Sequence, residues 1–314
     1  MPALMTHDFF GKDAYEANAS LIGAGEEARN AFLLGNQGPD PLFYLAVSPT
    51  TKDFWSLGGT MHHAAPSRLI AAFKESIGTL KGKEQAIGRA YAAGFLCHYT
   101  LDRAMHPLVY SQEFALCDAG VEGLDRSDGT EVHAEIEREF DEMVLSHKLG
   151  QTIATYKPYK EVLRASDDTL ATIGKMYSFV CMKTYGILPP ANLFVKAAKN
   201  FRKVQHLFYS PNERRRHAFG AIETGLLHRR FSFFSAMSHR RHLIEGSDFD
   251  NSSHATWENP FTHATSTDSF WDIYHAAQED AVKNLTAFMA DDFDEGAAAR
   301  LTRGLDFSGE PVEK

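Results

Sequence analysis

Apolar side chains recur every third or fourth position along most of this chain, while apolar–polar alternation over four or more residues is hard to find. The first pattern lays one face of a helix on a core; the second would mark a half-buried strand. A helical stripe covers 14–34. Pro66 sits in the first turn of another helix, over 66–80, where its missing N–H costs little. The Ala-rich stretch 84–105 carries Ile87, Tyr91, Phe95 and Leu101 at helical spacing. Asp128 and Glu131 resemble a capping box before a helix over 128–148. Further helices are predicted from Asp167 to Tyr185, after the Pro189-Pro190 break to Val204, over 210–243, and over 268–290. Loops are expected at 35–64, 107–128, 149–166 and 246–266. None is rich enough in Gly and Ser to be a linker, and there is no internal repeat. The expectation is one all-α, multi-helix domain over 1–314, with its chemistry in 1–150 and a helical C-terminal half, 151–314, of unassigned role.

Composition narrows the class without changing the fold. The chain has 314 residues, 44% apolar and 23% charged, which excludes a disordered tail, a fibre or a small disulfide scaffold. No run approaches the roughly 18 apolar residues of a membrane span. The first ten residues have neither a basic start nor a long apolar run, so no secretory signal is read and a cytoplasmic protein is expected. Cys97, Cys117 and Cys181 are odd in number and not spaced as CxxC, as reduced core thiols would be. A net charge of −9 argues against general nucleic-acid binding, and no stable nucleic-acid complex is expected.

Fifteen histidines change the picture. His98, Asp102 and His106 are four residues apart, a step that drifts only about 40° around a helix, so they form one stripe. Their flanks are apolar, and three titratable groups inside a core are costly unless something satisfies them, as a divalent cation would. His133 and Glu137 repeat the i, i+4 geometry. Asp40 lies between two prolines in a stiff turn. His62 follows Gly58-Gly59, with His63 beside it as an equivalent choice, and His7 lies near the chain start. Any one of these is commonplace: an isolated His/Asp pair is more often a hydrogen-bonded surface pair. Together they suit zinc. Glu135, Glu139 and Asp141 are expected on the solvated face of their helix. No Glu-x-x-His, HExxH, GxxxxGK[ST] or GxSxG motif is present, which removes di-iron, zincin, P-loop and serine-hydrolase readings.

The stretch from Gly35 through Pro39-Asp40-Pro41 to Tyr44, with Met61-His62, the run Gly94 to Pro107, and His133-xxx-Glu137, resembles the zinc-dependent phospholipase C family and, more remotely, the S1/P1 nucleases. The resemblance covers roughly residues 7–140. It implies an all-helical fold holding two to three Zn²⁺. One zinc would be held by Asp40, His62, His98 and Asp102, and a second by His106, His133 and Glu137. A third would share Asp102 and add His7 with the N-terminal amine and carbonyl, provided that Met1 is removed and Pro2 leads. The implied activity is phosphodiester hydrolysis by metal-activated hydroxide, with Asp40 also the catalytic carboxylate orienting the water. The substrate would be a phospholipid or a soluble phosphate ester, with peripheral membrane contact. A nuclease-like 3′-phosphoesterase and a non-catalytic metal-binding protein are the alternatives. Unlike the family's mature chains, the sequence does not start with Trp, and its first residues are not read as a secretory signal like theirs.

The basic clusters at Arg214-Arg215-Arg216-His217, His228-Arg229-Arg230 and His239-Arg240-Arg241-His242 are expected on a solvated face paired with acidic residues. A patch for anionic substrate or lipid headgroups is the competing reading. Phe231, Phe233 and Phe234 are expected in the core. The segment from His254 through Trp257 to Phe261 fits either a pocket mouth or a surface turn.

Overall fold

In the computed structural model, which describes every residue except Met1, Pro2, Arg229, Glu245 and Lys314, 68% of the described residues are helical and 2% strand. The all-α expectation holds. The helices are α1 (Leu4–Ile22), α2 (Glu26–Gly35), α3 (Leu57–His63), α4 (Pro66–Gly78), α5 (Gly82–Cys117), α6 (Gly129–Leu149), α7 (Pro158–Glu161), α8 (Asp167–Tyr185), α9 (Leu193–Phe208), α10 (Arg214–Leu227), α11 (Phe233–Met237), α12 (Phe270–Met289) and α13 (Glu295–Thr302). A two-stranded antiparallel hairpin, β1 (Trp257–Glu258) and β2 (Thr265–Ser266), lies in the 246–266 segment. None of these helices is long and apolar enough to cross a membrane.

One apolar core runs from Leu4 to Phe307 and draws on both halves of the chain. Helix α5 is its axis, 36 residues long, with α1, α2, α4, α6, α8 and α12 packed around it. Glycines bring α2 and α5 into backbone contact: a Cβ on Gly35 would lie 2.2 Å from the carbonyl oxygen of Tyr91, and one on Gly94 2.0 Å from that of Phe32. The end of α2 therefore rests on the turn of α5 that carries His98.

Several boundaries differ from the sequence pattern, each for a local reason. The 14–34 stripe is two helices, because Gly23 and Gly25 take φ of 126° and 103°, and α1 starts earlier, at Leu4. Helix α5 does not stop near Met105 but continues through Pro107 to Cys117. A mid-helix proline removes one backbone hydrogen bond and crowds the preceding turn. Here the C-terminal turn packs on that spot, where a Cβ on Gly309 would meet Arg103 O at 2.8 Å and Pro107 Cγ at 2.9 Å. The capping box lies three residues earlier than predicted: Asp125 and Asp128 make it around a short 3₁₀ turn, and Asp128 gives α6 no side-chain cap. The helix predicted over 210–243 breaks after Leu227, where His228 adopts φ 51°. The loop over 35–64 contains 3₁₀ turns at Asp40–Val47 and Pro49–Phe54 and the short α3. The three cysteines are free and buried.

Candidate metal centre

Helix α5 turns His98, Asp102 and His106 toward the N-terminal helix on one side and α6 on the other. His98 is fully buried and Asp102 5% exposed, so the stripe is internal, as its apolar flanks require. The 3₁₀ turn beginning at Asp40 and the last turn of α3 bring Asp40 and His62 to the same place. His62 Nε2 is 3.1 Å from Asp40 Oδ1, and His98 Nε2 is 3.9 Å from that oxygen and 3.1 Å from Asp102 Oδ2. His7 Nε2 lies 3.0 Å from Asp102 Oδ1. On the far side, His106 Nε2 and His133 Nε2 each stand 3.5 Å from Glu137 Oε1, and His106 Nδ1 is 3.9 Å from Asp102 Oδ1. All eight sequence-predicted residues thus join one chain of imidazoles and carboxylates. His63 does not: its Nδ1 donates to Asp306 Oδ2 at 2.8 Å, whereas His62 meets Asp40.

The histidines are oriented in a common way. Nδ1 donates to Gly58 O in His62 (2.7 Å), to Asn36 O in His98 (3.1 Å) and to Phe307 O in His106 (2.8 Å). A carbonyl has no proton to give, so each of these Nδ1 atoms carries the hydrogen and Nε2 is the atom presented inward. His133 Nδ1 has a carboxylate partner instead, Glu113 Oε2 at 2.9 Å. Outer-shell acceptors that fix the tautomer and aim the other nitrogen are the usual support of metal-ligating histidines.

The donor set fits a cation. Three groups have ligand atoms within 4.8 Å of one another: His7, Asp40 and His98; His62, His98 and Asp102; and His106, His133 and Glu137. Nε2 of His98 and Nδ1 of His7 are buried with no hydrogen-bond partner. For His98 this holds although Asp102 is 3.1 Å away, because the carboxylate is out of line for a hydrogen bond. A bare nitrogen lone pair facing two carboxylates is repulsive unless a proton or a cation lies between them. The grouping differs from the implied one: Asp40 falls with His7 and His98 rather than in the group of His62, His98 and Asp102, and His7 meets Asp102 as a pair. The N-terminal amine and carbonyl invoked for the third ion belong to Met1 and Pro2, outside the described residues.

Electrostatics follow from this packing. Burial works against the charge of Asp102, yet His98, His106 and His7 hold it well below the usual carboxylate range. Asp40 is likewise lowered against its burial by His62 and His98. Glu137 stays well below its ordinary value against burial, with His133 and His106 among its positive neighbours. Burial pulls His106 down, but Asp102, Glu137 and the Phe307 carbonyl push it up to about 9. His133 is likewise raised against its burial, by Glu137 and Glu113.

Two supports were not read from the sequence. Asp141, expected in solvent, is fully buried. It accepts from Met5 N (3.0 Å), Thr6 N (2.7 Å), Thr6 Oγ1 (2.8 Å) and His239 Nε2 (2.9 Å). Helix α1 has no cap of its own. Asp141 supplies one in trans, satisfying orphan N–H groups and placing a negative charge at the positive end of the helix, directly before His7. Its signal was present: His133, Glu137 and Asp141 continue one i, i+4 stripe. Glu139, also expected in solvent, pairs with Arg240 at 2.8 Å, while Glu135 joins the buried Arg138. The second support is the chain's end. Phe307, 1% exposed, donates its N–H to His62 O at 3.1 Å and accepts from His106, and its ring lies against His62 and His98. The C-terminal half thus contributes to the centre, Phe307 bonding to both His62 and His106.

A cavity of about 650 Å³ opens onto this wall. Its lining combines His7, Asp40, His62, Asp102, His106, His133 and Glu137 with the apolar side chains of Phe43, Val47, Val204, Phe208, Phe233 and Met237, and Phe43 packs directly on the His62 ring at 5.0 Å. Phe233 is exposed at the cavity, not in the core as the sequence pattern suggested. Neither Lys nor Arg occurs among the described lining residues. Gly38, at φ 49°, lets the loop pass over His98; a Cβ there would come within 2.0 Å of the imidazole. Tyr177 holds that loop from α8, its hydroxyl donating to Gly38 O at 3.1 Å. No protein-family model matches the chain, and neither curated proteins nor solved structures give a match, so the reading of this centre stands on its own geometry.

Proposed function

We propose that the chain is a zinc-dependent phosphoric-ester hydrolase of the phospholipase C type, with the fold of that family and of the P1 nucleases. Its substrate is a phosphodiester bearing an apolar group. The observation that carries this reading is a cavity whose lining joins the clustered imidazoles and three carboxylates to aliphatic and aromatic side chains. Five histidines and three carboxylates are the donor types zinc prefers.

His62, His98 and Asp102, with Asp40 and His7 beside them, would hold one part of the zinc cluster, and His106, His133 and Glu137 the other. Bound zinc supplies Lewis acidity toward phosphoryl oxygen and lowers the pKa of water from 15.7 to about 7. Asp40, buried yet kept ionised by His62 and His98, orients the attacking water and accepts its proton. Phe43, Phe208 and Met237 take up the apolar substituent and exclude bulk water around the phosphate. With no Lys or Arg among the described cavity residues, the positive charge that binds the phosphate must come from the cations, which suits a single phosphodiester better than a polyanionic strand.

The test is a panel of p-nitrophenyl-phosphorylcholine, bis-p-nitrophenyl phosphate and single-stranded DNA, each assayed with zinc and with chelator. Chelator-sensitive hydrolysis of the small diesters supports the reading. Preferential cleavage of DNA would replace it with the nuclease, and zinc-loaded protein inert toward all three would replace it with a metal-binding protein.

A further inference from the structure

Helix α10 is built the opposite way from an ordinary surface helix, whose apolar stripe faces the core. At 3.6 residues per turn, Arg215, Phe219, Ile222 and Leu226 fall on one stripe within about 60°. All are exposed: Phe219 43%, Ile222 55%, Leu226 74%. The inward side carries Arg216, Gly220, Glu223 and Thr224. Arg216 Nε donates to Ser235 O at 3.2 Å, and Glu223 Oε2 accepts from Ser232 Oγ at 2.6 Å and Phe234 N at 2.9 Å. Polar groups thus tether α10 to α11, leaving its apolar side to solvent. Leu243 and Ile244, further along, are also exposed.

The exposed charge of α10 and the 241–244 segment is basic, while Glu213, just before α10, is partly buried and engaged, accepting from Arg241 N at 2.8 Å and lying 3.5 Å from His217. Among the described residues of 214–244, the exposed charged or titratable side chains are Arg214, Arg215, His217, His228, Arg230, Arg241 and His242; Glu223, the acidic residue in the stretch, is turned inward. The rest of the −9 chain supplies the acid. Aromatic contacts also join the face to the candidate centre. Phe208, on the cavity wall, packs on Phe234 with ring centroids 5.0 Å apart, and Phe234 packs on Phe219 at 5.0 Å. Phe233 lies on the cavity wall beside that ladder.

We infer that α10 and the exposed segment at 241–244 dock on an anionic phospholipid bilayer, with Phe219, Ile222 and Leu226 entering the interface and the arginines meeting headgroup phosphates, so that the cavity mouth faces the lipid. Apolar residues set among exposed cations, with Glu213 already engaged by Arg241 and His217, match the depth profile of such a surface. A second copy of this chain would have to bring its own arginines against these. The inference deepens the phospholipase reading and rests on it for the choice of lipid.

The test is co-sedimentation of the full chain with diether-lipid vesicles, which cannot lose an acyl ester, containing either phosphatidylcholine alone or 30% phosphatidylglycerol. Binding is expected to the phosphatidylglycerol vesicles, at least tenfold weaker to phosphatidylcholine alone, and weakened by raised salt. The doubly substituted I222D/L226D and, separately, R214E/R215E chains should each lose at least tenfold in binding while hydrolysing a soluble p-nitrophenyl diester at the parent rate. Absence of parent binding, binding insensitive to both variants, or a concentration-dependent dimer that I222D/L226D abolishes would overturn the inference. Vesicle binding by a chain inert toward every diester would retire the hydrolase reading and leave the docking surface standing.

Discussion

Helices α5 and α10 make opposite use of the same periodicity. In α5 a stripe of His98, Asp102 and His106 is turned into the core, where desolvation penalises each charge unless partners or cations satisfy it. In α10 the polar residues also face inward, but they are hydrogen-bonded to α11, and the apolar stripe is what lies exposed. Each helix departs from the ordinary rule in one direction, and each departure locates an interaction. Buried charge marks the candidate ion site; exposed apolar surface in a basic setting marks the candidate contact with something larger.

The sharpest way to break this contrast is Asp102→Ala, since Asp102 meets His98, His7 and His106 together. Zinc content should fall by at least one ion per chain, and kcat/KM for a soluble diester by more than about 100-fold, the upper end of what loss of a supporting residue costs. Metal content and rate at the parent's level would show that α5 is ordinary core. Next in size is Asp141→Ala. It strands the N–H groups of Met5 and Thr6 and the ring of His239, and buried donors left unpaired cost about 1–3 kcal/mol each. A loss of roughly 3 kcal/mol in urea unfolding is expected, with weakened zinc binding because α1 no longer fixes His7.

A smaller effect is expected at Glu113→Gln, which keeps the shape but removes the charge behind His133. Zinc affinity should drop by about tenfold, the lower range for an outer-shell partner, with folding unchanged; an unaltered affinity would place Glu113 outside the centre. The pH dependence of the metal-free chain sharpens the same point. His106 lies near 9 against an ordinary 6.5, so the stability it contributes is complete below pH 6.5 and lost as the pH rises through 9. Asp102 and Glu137 are held well below 3.8 and 4.5, so their contribution is present above those values and fades as the pH falls. Thermal unfolding of the chelated protein should thus be highest between about pH 4.5 and 6.5 and decline toward pH 9; a melting temperature that instead climbs steadily to pH 9 would contradict the assignment. On α10, Leu226→Ala should change stability by less than about 0.5 kcal/mol, as for a surface position without partners.

The contrast also explains what the sequence made legible. The i, i+4 spacing of α5 and α6 exposed the ligand set because a helix converts that spacing directly into a shared face. Asp40 and His62 were recognisable only as members of a pattern; their convergence depends on 3₁₀ turns that hydrophobic periodicity does not encode. Periodicity could not show that α5 runs on past Pro107, since the compensating contact comes from Gly309, 202 residues later. For the same reason Phe307 was invisible as a clamp on His62 and His106. Asp141 was misplaced although it stood in phase with Glu137, because a lone acid on a helix rich in Glu is by default solvated. In 210–243 the pattern gave the helix but not its outward side, which hydrogen bonds to α11 decide.

The account depends on cations gathered by Asp40, His62, His98, Asp102, His106, His133 and Glu137. Its most direct test is anomalous diffraction at the zinc edge from crystals of the protein as purified, together with elemental analysis of the same preparation. Two or three peaks within coordination distance of those side chains, and a matching zinc content per chain, are the predicted result. Less than one metal ion per chain, with the imidazole nitrogens engaged only by hydrogen bonds, would contradict it.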